Sequence, residues 1–330
     1  MTHQIAPLTL RACRALLLGV LTGTALLSPA AWAQLPRRIH IIVPFPTGPI
    51  DFSARVLAES MRAQSGIPVI VENRPGANGT IAAVAVKQAA PDGEMLLFTS
   101  SGMLTISPHL YSRLPYDAAV DFVPVTTVSY SQAALTVAAG VPARNMKEFV
   151  ELARAAHAPF AFGSAGTGNI THGYIELFKD AAKIDLLHVP YKGITLAFTD
   201  VLNGQITGAF INLSIALPHM RSGKVRVLGL VGTERSALAP DVPTLEEQGY
   251  AGIDFLSWTG LMAPRGTRPE IVNAVANAVS SALAPEPIKA KLLASGLTSW
   301  VLSAEEFSRS IKSESDRWKK LIAEKNIRVE

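Results

Sequence analysis

The chain has 330 residues, 48% of them hydrophobic and 17% charged, with 30 basic and 26 acidic side chains and a formal net charge of +4. So small a positive excess gives no electrostatic case for nucleic acid or an anionic membrane as partner, and the length is ample for two domains. The single cysteine, Cys13, stands so near the start that the remaining chain has neither a disulfide nor a thiol to work with.

The first stretch reads as a secretory leader. Arg11 and Arg14 precede the apolar run Ala15 to Leu27, and Ser28-Pro29-Ala30-Ala31-Trp32-Ala33 supplies an A-x-A cleavage site. The run is too short to span a bilayer. The mature chain is expected to begin near Gln34 with a charge of +2, because cleavage removes two arginines and no acids (28 basic, 26 acidic). Export without disulfides points to a bacterial periplasm.

Ile39 to Phe45 is an apolar, β-branched run suited to a strand buried on both faces. The turn Pro46 to Ile50 leads to Asp51, a candidate N-cap for a helix carrying Phe52, Val56, Leu57 and Met61 at helical spacing. Ile67 to Val71 predicts the next strand, Glu72-Asn73-Arg74 a turn-fixing set, Thr80 to Ala90 a helix of small residues and Met95 to Thr99 a third strand ending at Ser100-Ser101-Gly102. Strands alternating with helices, with polar residues just after the strand ends, predict an open parallel sheet that binds at its carboxyl edge.

Val123 to Val137 is apolar and long enough to cross into a second unit, and Ile253 to Met262 reads as the return crossing. Between them lie a helix behind Asn145 and Glu148, the segment Phe160 to His172, the stretch Leu186 to Gly193 with His188 as a strand residue, a helix to about Asn203 and the strands Gly208 to Asn212 and Lys224 to Val231. Thr244 with Glu247 has capping-box spacing, and helices are expected behind Thr267 and Ser303, the last with Phe307, Ile311 and Trp318 inward. Two crossings make a hinge. The expected division is a leader at 1–33, a first domain of 34–133 plus 258–330, and a second of 134–257.

The segment with most chemistry is Gly163-Ser164-Ala165-Gly166-Thr167-Gly168-Asn169-Ile170-Thr171-His172. Its glycines let a guest approach the backbone, its hydroxyl and amide side chains offer donors, and a following helix N-terminus favours an anion. It reads as an anion cradle. Its glycine spacing is not that of a dinucleotide fold, no Gly-Lys-Ser/Thr makes a phosphate loop, and Phe162 stands where a nucleophile elbow needs glycine. Asn212, at the end of a buried strand, is expected to face the same cleft. His172 and His188 read as structural, and the seven histidines show no metal-binding spacing. An exported hydrolase using Ser164 or Ser101 with His172 is the alternative reading.

Several pieces recur in a recognisable order: Ile42-Val43-Pro44-Phe45 with Asp51, Val71-Glu72-Asn73-Arg74-Pro75-Gly76-Ala77, Ala90-Pro91-Asp92-Gly93, the cradle with His172, His188-Val189-Pro190-Tyr191-Lys192-Gly193 and Asp241-Val242-Pro243-Thr244. Across essentially the whole mature length the chain resembles the solute receptors of tripartite tricarboxylate transporters, the Bug receptors. The resemblance implies an α/β, two-domain type II periplasmic-binding fold with a hinge of two crossing strands. It also implies a receptor that is not an enzyme, closing on a small carboxylate, with transporter membrane subunits or a sensor as partner, no cofactor or metal, and a monomeric state. The carboxylate-holding loops would be Pro46 to Ile50 and Ser164 to Asn169. The candidate ligand-binding set is Phe45, Thr47, Ser101, Ser164, Ala165, Thr167, Gly168, Asn169, Tyr191 and Asn212. Against the family, Asn169 replaces a common serine, and the first loop is one residue shorter, with Pro49 where a Gly-Gly pair is usual.

Overall fold

A computed structural model describes residues 35–45, 48–76 and 79–328. The expected leader and, among the candidate ligand-binding residues, Thr47 lie outside the described residues. Two sheets, each covered by helices, carry separate cores. The first is six-stranded in the order β11-β4-β10-β3-β1-β2, from β1 (Ile39–Val43), β2 (Val69–Asn73), β3 (Met95–Ser100), β4 (Phe122–Ser131), β10 (Ser257–Pro264) and β11 (Thr298–Ser299). The second is five-stranded in the order β7-β6-β8-β5-β9, from β5 (Ala133–Ala138), β6 (Phe160–Ser164), β7 (Leu186–Pro190), β8 (Gly208–Asn212) and β9 (Val225–Leu230). Among the described residues no helix is long and apolar enough to cross a membrane.

The first sheet is mixed, where a parallel one was expected. β1 pairs in parallel with β2 and β3, but β10 returns between β3 and β4 and runs antiparallel to both. A strand that re-enters a sheet from the other unit arrives from the carboxyl edge and has to run backwards. The crossings are neighbours. β4 passes into β5 through Gln132, whose Nε2 donates to the carbonyls of Val231 (2.9 Å) and Glu234 (2.6 Å), and Ser257 opens β10 opposite Ser131.

The C-terminal helix (Ala304–Glu324) makes a third connection. Ser303 and Glu306 form the expected capping box at its start, and Phe307 packs edge-on against Trp258 with ring centroids 5.1 Å apart in the first core. Its far end carries Trp318, Leu321 and Ile322 into the core of the second unit, with Phe149, Phe162, Tyr174 and Phe178.

Two local readings need correction. Asp51 is not an N-cap: the helix Pro49–Ser65 starts earlier, with Gly48 as cap and Pro49 in its first turn. Proline's fixed φ suits that position. Asp51 lies in that turn, 3% exposed, bonded by Arg55 Nε (2.9 Å) and Asn73 Nδ2 (2.7 Å). Burial opposes its charge, but these two donors outweigh burial and hold its pKa below the ordinary value. Thr267 turns its hydroxyl onto the Pro264 carbonyl, so Arg268 is the cap of the helix Pro269–Leu283. Thr244 and Glu247 exchange the expected capping-box bonds, around a turn. Asn73 acts as a turn-fixing residue, with Nδ2 also reaching the Phe45 carbonyl at 2.9 Å.

Candidate ligand-binding cleft

The carboxyl ends of β1, β3, β6 and β8 all open on one cleft between the sheets, a cavity of about 600 Å³. That is within the range of small-molecule sites. Phe45, Ile50, Met103, Ile106, Leu110 and Tyr111 line one side, together with Ser100, Ser101 and Ser107. The other side is the loop 165–171 with Ile194, Phe210 and Asn212. No lysine, arginine, histidine or carboxylate lines it among the described residues.

Positive potential comes instead from helix ends. The helices Ile170–Ala182, Ile194–Leu202 and Leu213–Arg221 begin at Asn169, Gly193 and Asn212, and each points its N-terminus at the cleft. Unpaired N–H groups and the macrodipole make each end favour an anion. The two asparagine caps share a second property. Asn169 Oδ1 accepts the Thr171 N–H (3.1 Å) and hydroxyl (3.2 Å), and Asn212 Oδ1 accepts the Ser214 N–H (3.0 Å) and hydroxyl (2.8 Å). Capping consumes the oxygen of each amide, and neither Nδ2 has a protein partner among the described residues. What remains for a guest is a donor.

The expected site residues divide accordingly. Phe45, Ser101, Ala165, Thr167, Gly168, Asn169 and Asn212 line the cleft. Ser164 and Tyr191 stand behind it. Ser164 follows Phe162 by two residues and shares its core-facing side of β6; it is fully buried, with Oγ 2.6 Å from His188 Nε2. The Tyr191 hydroxyl donates to Asp200 at 2.7 Å, and burial together with that carboxylate pushes its pKa up to about 12. Thr47 lies outside the described residues.

Residues without a sequence signal include Met103 and Ile106, both in a π-helical turn (Gly102–Ile106) after β3. A π-turn leaves no period in the sequence by which to find it. The hydrolase reading finds no support. Ser164 touches His188 but is sealed from the cleft, Ser101 is 2% exposed with its carbonyl taken by Thr105, and His172 spends Nδ1 on the Gly168 N–H at 3.1 Å.

Two sheet-centred units, a cleft at their strand ends and helix N-termini converging on it define a two-domain periplasmic solute-binding protein. Residues 53–327 match the family model described as the tripartite tricarboxylate transporter family receptor, TctC, and the chain belongs to that family. It is 31% identical to protein BugT of Bordetella pertussis over 94% of this chain and 97% of that one. Among solved structures it is similar to a Rhodopseudomonas palustris protein with adipate, at 28% identity and TM-score 0.76, covering 88% of this chain and 98% of that one. It is likewise similar to MatC of Rhodopseudomonas palustris with bound malate, at 30% identity and TM-score 0.70, covering 87% and 99%.

Proposed function

We propose that this protein, exported to the periplasm as a monomer, captures a small organic anion by a carboxylate and presents it to the membrane subunits of a tripartite transporter or to a sensing partner, without chemical turnover. The observation that carries this reading is the pair of asparagine caps, Asn169 and Asn212, each with its oxygen bound to a helix start and its Nδ2 without a protein partner among the described residues, both lining a cleft without charged side chains. Such a site recognises an acceptor. Adipate and malate in related structures support a carboxylate as that acceptor. The two sheets are the bodies that close, hinged where the chain crosses at Gln132 and Ser257.

The finer reading concerns ligand shape. The second unit supplies the amide donors of the loop and caps, whereas Phe45, Ile50, Met103 and Ile106 make much of the first unit's face apolar, beside the hydroxyl residues Ser100, Ser101, Ser107 and Tyr111. Pro49 removes an amide from that side. The favoured ligand has one carboxylate in the cradle and an apolar or aromatic body against this wall.

A thermal-shift screen of the mature protein over mono-, di- and tricarboxylates, amino acids and aromatic acids, followed by calorimetry, tests both readings. A ligand at ~100 times its dissociation constant should add ~2.7 kcal/mol to stability. Activated esters should not be turned over. If no carboxylate in the panel shifts the melting transition, the assignment of the cleft is wrong.

A further inference from the structure

Two family motifs, the cradle with His172 and the strand with His188, meet behind the cleft in a way neither motif explains alone. The loop from Ser164 to Asn169 holds Gly166 at φ 127° and Gly168 at φ 74°, and its amides are mostly spoken for. The Ala165 N–H donates to Thr171 Oγ1 (2.9 Å), Gly166 to Ser164 Oγ (3.1 Å), Gly168 to His172 Nδ1 (3.1 Å) and Asn169 to the Gly166 carbonyl (3.1 Å). Only the N–H groups of Thr167 and Ile170 are left without a protein partner among the described residues of this turn. Which amides a ligand meets is therefore decided by what ties up the others.

Two of those ties run to one buried cluster. His172 is 7% exposed and lies flat on His188, with ring centroids 3.7 Å apart and planes 9° from parallel. His188 Nε2 is in turn 2.6 Å from Ser164 Oγ, the atom that accepts the Gly166 N–H. The loop is thus pinned at Gly166 and at Gly168 by the two ends of one stack. We propose that His172, braced on His188 and Ser164, is the positioning residue of the anion cradle: by accepting the Gly168 N–H it sets the loop so that the Thr167 and Ile170 amides and the Asn169 side chain face the ligand. This rests on the cleft being the anion site.

The brace works only while the rings are uncharged. To accept at Nδ1, His172 must carry its proton on Nε2, toward Glu176 Oε1 at 3.9 Å; an imidazolium would point a donor at a donor. Burial first, and then Lys179, lowers the His172 pKa to about 4. His188 is lowered to about 4 by burial, then His172 and Lys179, against the opposing charge of Glu176. The facing charges are Glu176 and Lys179 on the same helix and Asp185 before β7, 3.6 Å from Lys179 Nζ. β6 and the cradle loop contribute none, and the C-terminal helix lays the uncharged Trp318 on the adjacent Gly173.

The test uses the mature protein, His172→Asn, whose amide oxygen takes the place of Nδ1 and does not titrate, and His172→Leu, which has no acceptor. In ligand-free protein the Gly168 amide resonance should hold steady from pH 8 to about 5.5 and then move with a midpoint near 4 in the wild type, but not in His172→Asn. In His172→Leu, Gly168 amide exchange should rise and affinity for benzoate or adipate should fall, each about tenfold, as one lost hydrogen bond implies, while His172→Asn keeps both. A Gly168 resonance that does not move with His172 protonation in the wild type overturns the proposal without any variant having to fold. So does a Leu variant with wild-type exchange and affinity, or an Asn variant as impaired as Leu. If neither probe binds the wild type, the ligand class above fails, and the Gly168 measurements alone decide the brace.

Discussion

Gly173, inside the helix Ile170–Ala182, is the floor on which the Trp318 ring rests: a Cβ built on Gly173 would collide with that ring. The contact joins the cradle's helix to the C-terminal helix, which is rooted in the other unit at Phe307. On helix propensity alone Gly173→Ala would gain about 1 kcal/mol. Overpacking opposes it, and because the indole is 1% exposed and enclosed by Phe255 and Tyr174 neighbours, the ring has no free space to retreat into. We expect the variant to be destabilised by ~1–3 kcal/mol in urea denaturation. An unchanged or increased stability would mean that Trp318 is not held where the structure places it.

The caps at Asn169 and Asn212 separate folding from binding. Aspartate caps a helix about as well as asparagine, so Asn169→Asp and Asn212→Asp should melt within ~0.5 kcal/mol of the wild type. Each replaces an unengaged donor in the cleft with a negative charge, and anion affinity should fall by a hundredfold or about 3 kcal/mol. Asn169→Ser should bind within about tenfold, since a hydroxyl both caps and donates. Calorimetry on the best ligand from the screen reads the first effect and calorimetric melting the second. Undiminished binding in both aspartate variants would move the anion out of the cradle.

Glu314 gives the fold a pH dependence of its own. Its carboxylate takes the Trp258 Nε1–H at 2.9 Å where β10 re-enters the first sheet, and burial raises its pKa from 4.5 to about 7, with the Trp258 bond and Arg317 opposing and Asp254 assisting. Between those values the unfolded chain gives up a proton that the folded protein keeps. Stability should therefore be greatest below about pH 4.5 as far as this group is concerned, fall as pH rises toward 7, and level off above. Glu314→Gln keeps an oxygen for Trp258 and does not ionise. It should match the wild type near pH 5 and exceed it by ~2–3 kcal/mol at pH 8 in denaturant titrations. Equal stabilities at both pH values would show that the folded carboxyl ionises normally.

The strands with β-branched runs, such as Ile39–Val43, and the helices with spaced apolar faces were legible because one periodic signal dominates each. So was the strand, glycine turn and helix start from Phe160 to His172, whose glycines are local chemistry. What was hidden depends on partners distant in sequence. β10 reads as a crossing strand, but its antiparallel place between β3 and β4 follows only from the direction of its return. Ser164 looked like a ligand donor because it sits among donors, whereas the strand's two-residue alternation, counted from Phe162, already turned it inward. The His172–His188 stack joins residues from a helix and a strand and has no local signature at all.

The first loop bears on how a second carboxylate would be held. Gly48 caps the helix Pro49–Ser65, and Pro49 in its first turn has no N–H to offer. Ile50 follows into the cleft, and the buried carboxylate of Asp51 stands in the same turn, neutralised by Arg55 rather than by a guest. A second ligand carboxylate directed to this side would meet one donor fewer and an isobutyl-sized wall. Exchanging Thr47-Gly48-Pro49 for Pro-Gly-Gly-Ser restores both the length and the amide. With one charge-assisted hydrogen bond at ~1.5–3 kcal/mol, the exchange should tighten adipate or malate by at least tenfold while leaving benzoate within a few-fold. The comparison is internal to two proteins differing only in that loop, so calorimetry on the three ligands suffices. Dicarboxylates bound as tightly by the natural loop as by the lengthened one would show that waters or a neighbouring hydroxyl already replace the missing amide, and the preference for a single carboxylate would be wrong.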